Sequence, residues 1–192
     1  MKTNYVFLFF LFVSLHIFSQ ERKSSLEINY PLAFDEGYRE FKGIIDVGYK
    51  YRFSEAELFV YGASLTFDYI QGSHRFSNED LKRNYYFGHA NAFAEMTIPS
   101  VERLHPYAAV GFTYLNYDYE YLYGYDLLLE TRVRKKSAYG FNLKLGVQYD
   151  VTNSFFVQTY FHYVRVYSKG EIDNKAFGIN YNQLKFGVGF RF

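Results

Sequence analysis

Apolar and polar residues alternate along most of this chain with a period of two, and the phase breaks only at clusters of turn residues. The final stretch shows it most plainly. Leu184, Phe186, Val188, Phe190 and Phe192 are separated by Lys185, Gly187, Gly189 and Arg191. Period two places alternate side chains on opposite faces of a strand, so this segment has one apolar face and one polar or empty face. The same pattern predicts seven earlier strands. In the first, Leu26, Ile28, Tyr30 and Leu32 alternate with Glu27 and Asn29; Pro31 lacks an N–H and belongs near a strand end or bulge. In the second, Ile45, Val47, Tyr49, Tyr51 and Phe53 oppose Asp46, Gly48, Lys50 and Arg52. In the third, Phe59, Tyr61, Ala63, Leu65, Phe67 and Tyr69 oppose Gly62, Ser64, Thr66 and Asp68.

The fourth strand is fainter. Tyr86, Ala90, Ala92, Ala94 and Met96 form its apolar face, leaving His89, Asn91 and Glu95 on the other. The fifth carries Ala108, Val110, Phe112 and Tyr114 on one face. The sixth sets Tyr139, Phe141, Leu143, Leu145, Val147 and Tyr149 against Gly140, Asn142, Lys144, Gly146 and Gln148. The seventh sets Phe155, Val157, Phe161 and Tyr163 against Gln158, Tyr160 and His162, with Arg165 on the apolar phase and so expected near a loop.

The connections sort by parity. Those after strands two and six are short, and that after strand four, residues 97–106, is moderate. Those after strands one, three, five and seven are long; residues 70–84 read as a polar loop. Residues 117–136 are too aromatic for a solvated linker, and the flanking strands are expected to extend into them as a hairpin. Eight antiparallel strands with long and short connections at opposite ends predict an all-β, up-and-down barrel.

Alternation does not say which face is outside. A secreted ligand-binding barrel would point its apolar face inward. Here the polar faces hold Gly48, Gly62, Gly140, Gly146, Gly187 and Gly189, which suit a narrow interior where small residues sit beside long ones. They also hold charges of both signs, Asp46, Asp68 and Glu95 with Lys50, Arg52, Lys144 and Lys185. Inside a closed barrel these can pair; unpaired, each would cost several kcal/mol. The apolar face therefore points to lipid.

With an aromatic residue closing the last strand, the chain resembles the small eight-stranded Gram-negative outer-membrane β-barrels, the OmpA membrane domain and OmpX-like proteins among them. The resemblance implies a terminal strand (Leu184, Phe186, Val188, Phe190, Phe192) read by the barrel assembly machinery, short turns in the periplasm, long loops outside, a surrounding of outer-membrane lipid and lipopolysaccharide, and a monomer. Residues 1–20 fit it. Lys2 precedes an apolar run, Tyr5 to Phe18, too short to span a bilayer, and small Ser19 and Gln20 follow. The expectation is a signal peptide at 1–20, cleaved after Ser19 or Gln20, and a barrel domain at 21–192.

Composition narrows the function. The 192 residues suit one domain. There are 22 Tyr, 22 Phe and no Trp, so Tyr must supply the interfacial belts, with Tyr51, Tyr61, Tyr69, Tyr114, Tyr139 and Tyr149 as candidates. No Cys is present, which excludes disulfides and thiolate metal sites. Residues 1–20 hold one of the 21 basic groups and none of the 20 acids, so the remaining charge is balanced and nucleic acid is not an expected partner.

Candidate chemistry is sparse. A barrel of eight strands is filled by its own side chains, so the inward charges read as a structural network more readily than as an ion path. The enzymatic alternative is modification of lipid A. Barrels that deacylate it carry His-x-Ser on a late strand, but two residues after His162 stands Val164. Ser73 and His74, with Glu79 and Asp80, share a loop, and Ser168 and Glu171 follow the seventh strand; neither set makes a nucleophile–base pattern. His74, His89, His105 and His162 lack ligand spacing, and no cofactor is expected. Surface interaction remains. Tyr119, Tyr121, Tyr123 and Tyr125 recur at every second residue, forming one face of an extended hairpin. Arg132, Arg134, Lys135 and Lys136 can pair with phosphates of lipopolysaccharide or with an extracellular ligand.

Overall fold

A computed structural model describes residues 22–33, 41–76, 79–123, 130–169 and 176–192. The segment read as a signal peptide lies outside them, as do Tyr125 and Glu171. The described residues form eight strands: β1 (Ser24–Ala33), β2 (Phe41–Glu55), β3 (Phe59–Phe76), β4 (Glu79–Met96), β5 (Leu104–Tyr123), β6 (Glu130–Asp150), β7 (Phe155–Lys169) and β8 (Ala176–Arg191). Each pairs antiparallel with its neighbours in sequence, and β1 pairs with β8 from Ser25↔Arg191 to Ala33↔Gln183, closing the barrel. The seam is locked at its end, where Ser24 N–H donates to the Phe192 carbonyl at 3.0 Å and Phe192 N–H to that of Ser24 at 2.8 Å.

The partition between faces is the reverse of a soluble protein's. Leu65 and Val110 are 63% and 59% exposed on the outer wall, whereas Asp46, Asp68 and Lys185 are wholly buried in the lumen. Exposed Ile28, Val47, Phe67, Phe112, Leu145 and Val188 continue the apolar wall around the barrel. A continuous apolar patch of this extent is untenable in water, so the wall faces hydrocarbon.

The candidate belt tyrosines divide between the two ends. Tyr51, Tyr61 and Tyr149 lie toward the end that carries Ser24, Phe192 and the turns 56–58, 97–103 and 151–154. Tyr69, Tyr114 and Tyr139 lie toward the other end, with Tyr114 paired to Tyr139, and Tyr69 stacked on Tyr86 at 5.0 Å. Amphipathic rings at these two levels mark the edges of the apolar band.

Beyond the second belt the hairpins continue as regular sheet. Residues 70–84 are not a loop: β3 and β4 stay in register from Ile70↔Tyr85 to Phe76↔Glu79. In water both faces of a strand can be polar, so the extension has no alternation to reveal it. The same holds for β7 and β8, which stay paired out to Lys169↔Ala176. At the opposite end the moderate turn is shorter than its sequence suggests, and Pro106 sits inside β5 opposite Val147. Pro31 lies where expected: β1–β2 pairing stops at Asn29↔Asp46, and a register shift between Gly43 and Ile45 follows. A Cβ on Gly43 would fall onto the Pro31 carbonyl, so the crossing needs glycine.

Candidate functional site

Inward residues become less polar from the turn end toward the extended end. Next to the turns, Arg52 holds Glu95 with two parallel bonds, Nε to Oε2 at 2.7 Å and Nη2 to Oε1 at 2.9 Å. Lys50 bridges Glu27 at 2.8 Å and Glu95 at 3.7 Å, with its ammonium 4.3 Å from the Tyr107 ring centroid. Gln158 Nε2 donates to Glu27 Oε2 at 3.0 Å and to Asn29 Oδ1 at 2.7 Å.

Deeper in, Lys185 is wedged between Asp46 and Asp68, at 2.5 Å from Asp46 Oδ2 and in contact with Asp68 Oδ2. The Tyr160 hydroxyl donates to Asp46 Oδ2 at 2.9 Å. Lys144, also inward, donates to Thr66 Oγ1 at 3.0 Å. The seven charges assigned to the interior by parity thus all lie in the lumen, and six of them meet in ion pairs. Glu27, Asn29, Gln158 and Tyr160 complete the network; their inward parity was the only signal for them in the sequence.

His89 and His162, widely separated in sequence, meet here with ring centroids 4.6 Å apart. His89 Nδ1 is 2.8 Å from Thr113 Oγ1, and its Nε2 is 3.3 Å from Asp68 Oδ2. His162 Nε2 faces Asn142 Oδ1 at 3.4 Å and its Nδ1 faces Asp68 at 3.9 Å. Thr113, His89 and Asp68 connect in the order of a hydroxyl, base and acid. Thr113 and Asp68 are wholly buried, however, and the Thr113 hydroxyl also accepts from Asn142 Nδ2 at 3.0 Å, so no substrate reaches it. Ser168 lies six residues beyond His162 on β7, about 20 Å along an extended strand. Ser73 and His74 are consecutive residues of β3; the side chains of His74, Glu79 and Asp80 lie outside the described ones.

Above the histidines the lumen is apolar. Ile70, Tyr85, Phe87, Leu115, Ala138, Val164, Val166 and Tyr181 form one buried cluster, with Phe87 stacked over His89 at 5.8 Å and Tyr181 edge-on to Phe87 at 5.1 Å. This apolar plug lies between the ion-pair layers and the extended end. At the turn end a polar cavity of about 320 Å³ remains, lined by Arg52, Glu95, His105, Asp150 and Arg191 among others.

The β5–β6 hairpin is the other feature. β5 has 20 residues and β6 has 21, against the roughly 9–11 that cross a bilayer. From Tyr114↔Tyr139 the ladder runs on to Tyr123↔Glu130, roughly 30 Å past the belt. Tyr117, Tyr119 and Tyr121 line one face of β5, in successive ring contact at 6.1 and 6.2 Å. Lys136, Arg134 and Arg132 stand directly across from them, and the Lys136 ammonium is 5.8 Å from the Tyr119 ring centroid. The basic run is therefore split: Arg132, Arg134 and Lys136 share the tyrosine face, and Lys135 is on the opposite one. Tyr123 is on β5, but its side chain lies outside the described ones.

The sequence profile of the outer membrane protein beta-barrel domain matches residues 6–192. The chain belongs to that family. No curated protein sequence matches it significantly. Among solved structures it is similar to Ail, the attachment invasion locus protein of Yersinia pestis, at 17% identity and a TM-score of 0.55, covering 88% of this chain and 97% of that one. It is similar also to Ail in complex with the heparin analogue sucrose octasulfate (14%, 0.52, 88% and 96%) and to Neisserial surface protein A (16%, 0.55, 88% and 96%). Identities this low show the shared fold alone. Outer-membrane barrels carry short turns on the periplasmic side and long hairpins outside; by that rule the polar cavity opens at the periplasmic end and the β5–β6 hairpin stands at the outer one.

Proposed function

We propose that this outer-membrane barrel is a non-enzymatic surface-interaction protein, exported by the segment 1–20, whose β5–β6 hairpin docks an anionic extracellular glycan. The observation that carries this reading is the cross-strand register of Tyr119 with Arg134 and Tyr121 with Arg132. A row of tyrosine rings offers flat apolar faces to sugar rings, and guanidinium groups beside it suit sulfate or phosphate. The similar Ail barrel has been solved with a heparin analogue, which favours the same ligand class. The apolar plug speaks against a diffusion pore, and the buried histidines lack an accessible nucleophile.

The test is binding of immobilised heparin by the detergent-refolded protein. Binding that weakens with salt and falls about tenfold or more in the R132A/R134A variant is expected. Equal retention of the variant and the parent protein would remove the hairpin from the function.

A further inference from the structure

We propose that Asp68, His89 and His162 form an intramembrane binding site for a divalent transition ion of the zinc class. One ligand atom from each lies within 4.8 Å of the others, and all three residues are buried. Two imidazoles and one carboxylate are a donor set suited to zinc and neighbouring borderline ions, with a coordination position left open.

The second observation is that His162 Nδ1, which faces Asp68 Oδ2 at 3.9 Å, lacks a hydrogen-bond partner, and the other oxygen of the same carboxylate, Asp68 Oδ1, lacks one too. The Asn142 amide is fixed in orientation because its Nδ2 donates to the Phe112 carbonyl at 3.2 Å. Its Oδ1 therefore faces His162 Nε2, which must be the protonated nitrogen. That leaves the Nδ1 lone pair turned toward Asp68 Oδ2, the oxygen that the Lys185 ammonium also holds, and available to a metal ion. His89 is held in the complementary way: Thr113 engages Nδ1, and Nε2 points to Asp68. Each imidazole thus has one nitrogen fixed by a neutral oxygen and the other directed to the shared space, as metal-ligating histidines do. Phe87 covers the site from the outside.

Lys185 and Lys144 balance Asp46 and Asp68 in the surrounding shell, so an incoming cation competes with the Lys185 ammonium for Asp68. The site draws its ligands from β3, β4 and β7, across the lumen, and no spacing in the sequence could announce it.

The experiment starts from protein refolded in detergent with chelator and shown to be folded by heat-dependent gel mobility. It is titrated with Zn²⁺ and, separately, Co²⁺, desalted, and its metal counted by mass spectrometry. About one retained equivalent and a visible Co²⁺ ligand-field spectrum are expected. H162Q should lose both. T113V should bind about 10- to 100-fold more weakly. H105Q, altered at the periplasmic rim, should bind as the parent does. A folded parent protein that retains no metal overturns the proposal, as does equal retention by H162Q. Should H162Q not fold, ring-nitrogen NMR of the parent decides. A His162 Nδ1 resonance displaced by Zn²⁺ supports the site; both nitrogens protonated and unmoved by Zn²⁺ means that His162 itself is the cation, and overturns it.

Discussion

Arg52 and Glu95 face each other across the periplasmic end of the lumen as a bidentate pair, with both side chains 5% exposed. Lys50 reaches the same carboxylate, and Ser25 Oγ accepts from Arg52 Nη1 at 3.2 Å, so the pair is embedded in further bonds. Ion pairs of this kind pay for desolvation with good geometry, so removing one member leaves a buried charge without compensation.

The expectation is that R52A or E95A destabilises the barrel by about 3–5 kcal/mol, whereas the apolar double variant R52M/E95L is less destabilised than either. Urea unfolding in detergent, followed by gel mobility, measures this. Additive losses in the double variant would mean that the two charges stabilise the barrel independently.

A second expectation concerns paired small and large residues in the lumen. Gly62 lies opposite Phe93 and Gly189 opposite Phe156, and a Cβ on either glycine would fall into the facing ring. The ring covers the backbone that glycine leaves bare. G62A and G189A should therefore cost about 1–3 kcal/mol each by overpacking. F93A should cost about 3–5 kcal/mol by leaving a cavity. Unfolding midpoints check the order; a stabilised G62A would show that the ring has room to move.

The plug gives a third. Phe87 is wholly buried among Leu115, Val164, Val166 and Tyr181 and separates the ion-pair layers from the outside. The parent protein should show no steady conductance in planar bilayers. The F87A/L115A variant should conduct, provided that it still folds by gel mobility. Steady conductance in the parent would place a water path beside the plug.

These particulars show what was legible in the sequence. Strict parity placed Asp46, Lys50, Arg52, Asp68, Glu95, Lys144 and Lys185 inside, because a strand has only two faces; Glu27, which pairs with Lys50, was not counted among them. The sequence pattern did not single out Phe87, Leu115, Val164 and Val166 as a lumen cluster, because their shared depth depends on stagger between strands. Residues 70–84 resembled a loop because polar residues dominate both faces there, with only Ile70 and Leu81 among the buried apolar side chains described. Asp68, His89 and His162 were invisible as a group because they converge from three strands, two of them facing the third across the lumen.

The last expectation separates folding from assembly. Phe192 contributes to closure through its backbone, which exchanges two hydrogen bonds with Ser24. Its side chain is half-buried at the barrel's edge and stacks on Phe190 at 6.4 Å. Replacing the ring with a polar group should therefore leave the seam intact, so F192S refolded in detergent should unfold within about 1 kcal/mol of the parent. In cells the outcome should differ. If the terminal aromatic is what the assembly machinery reads, F192S should accumulate outside the outer membrane, and its surface level should fall several-fold. Measuring both quantities on one variant distinguishes the roles. Parallel losses in vitro and in cells would make Phe192 a structural residue, and unchanged surface levels would place the assembly signal elsewhere in β8.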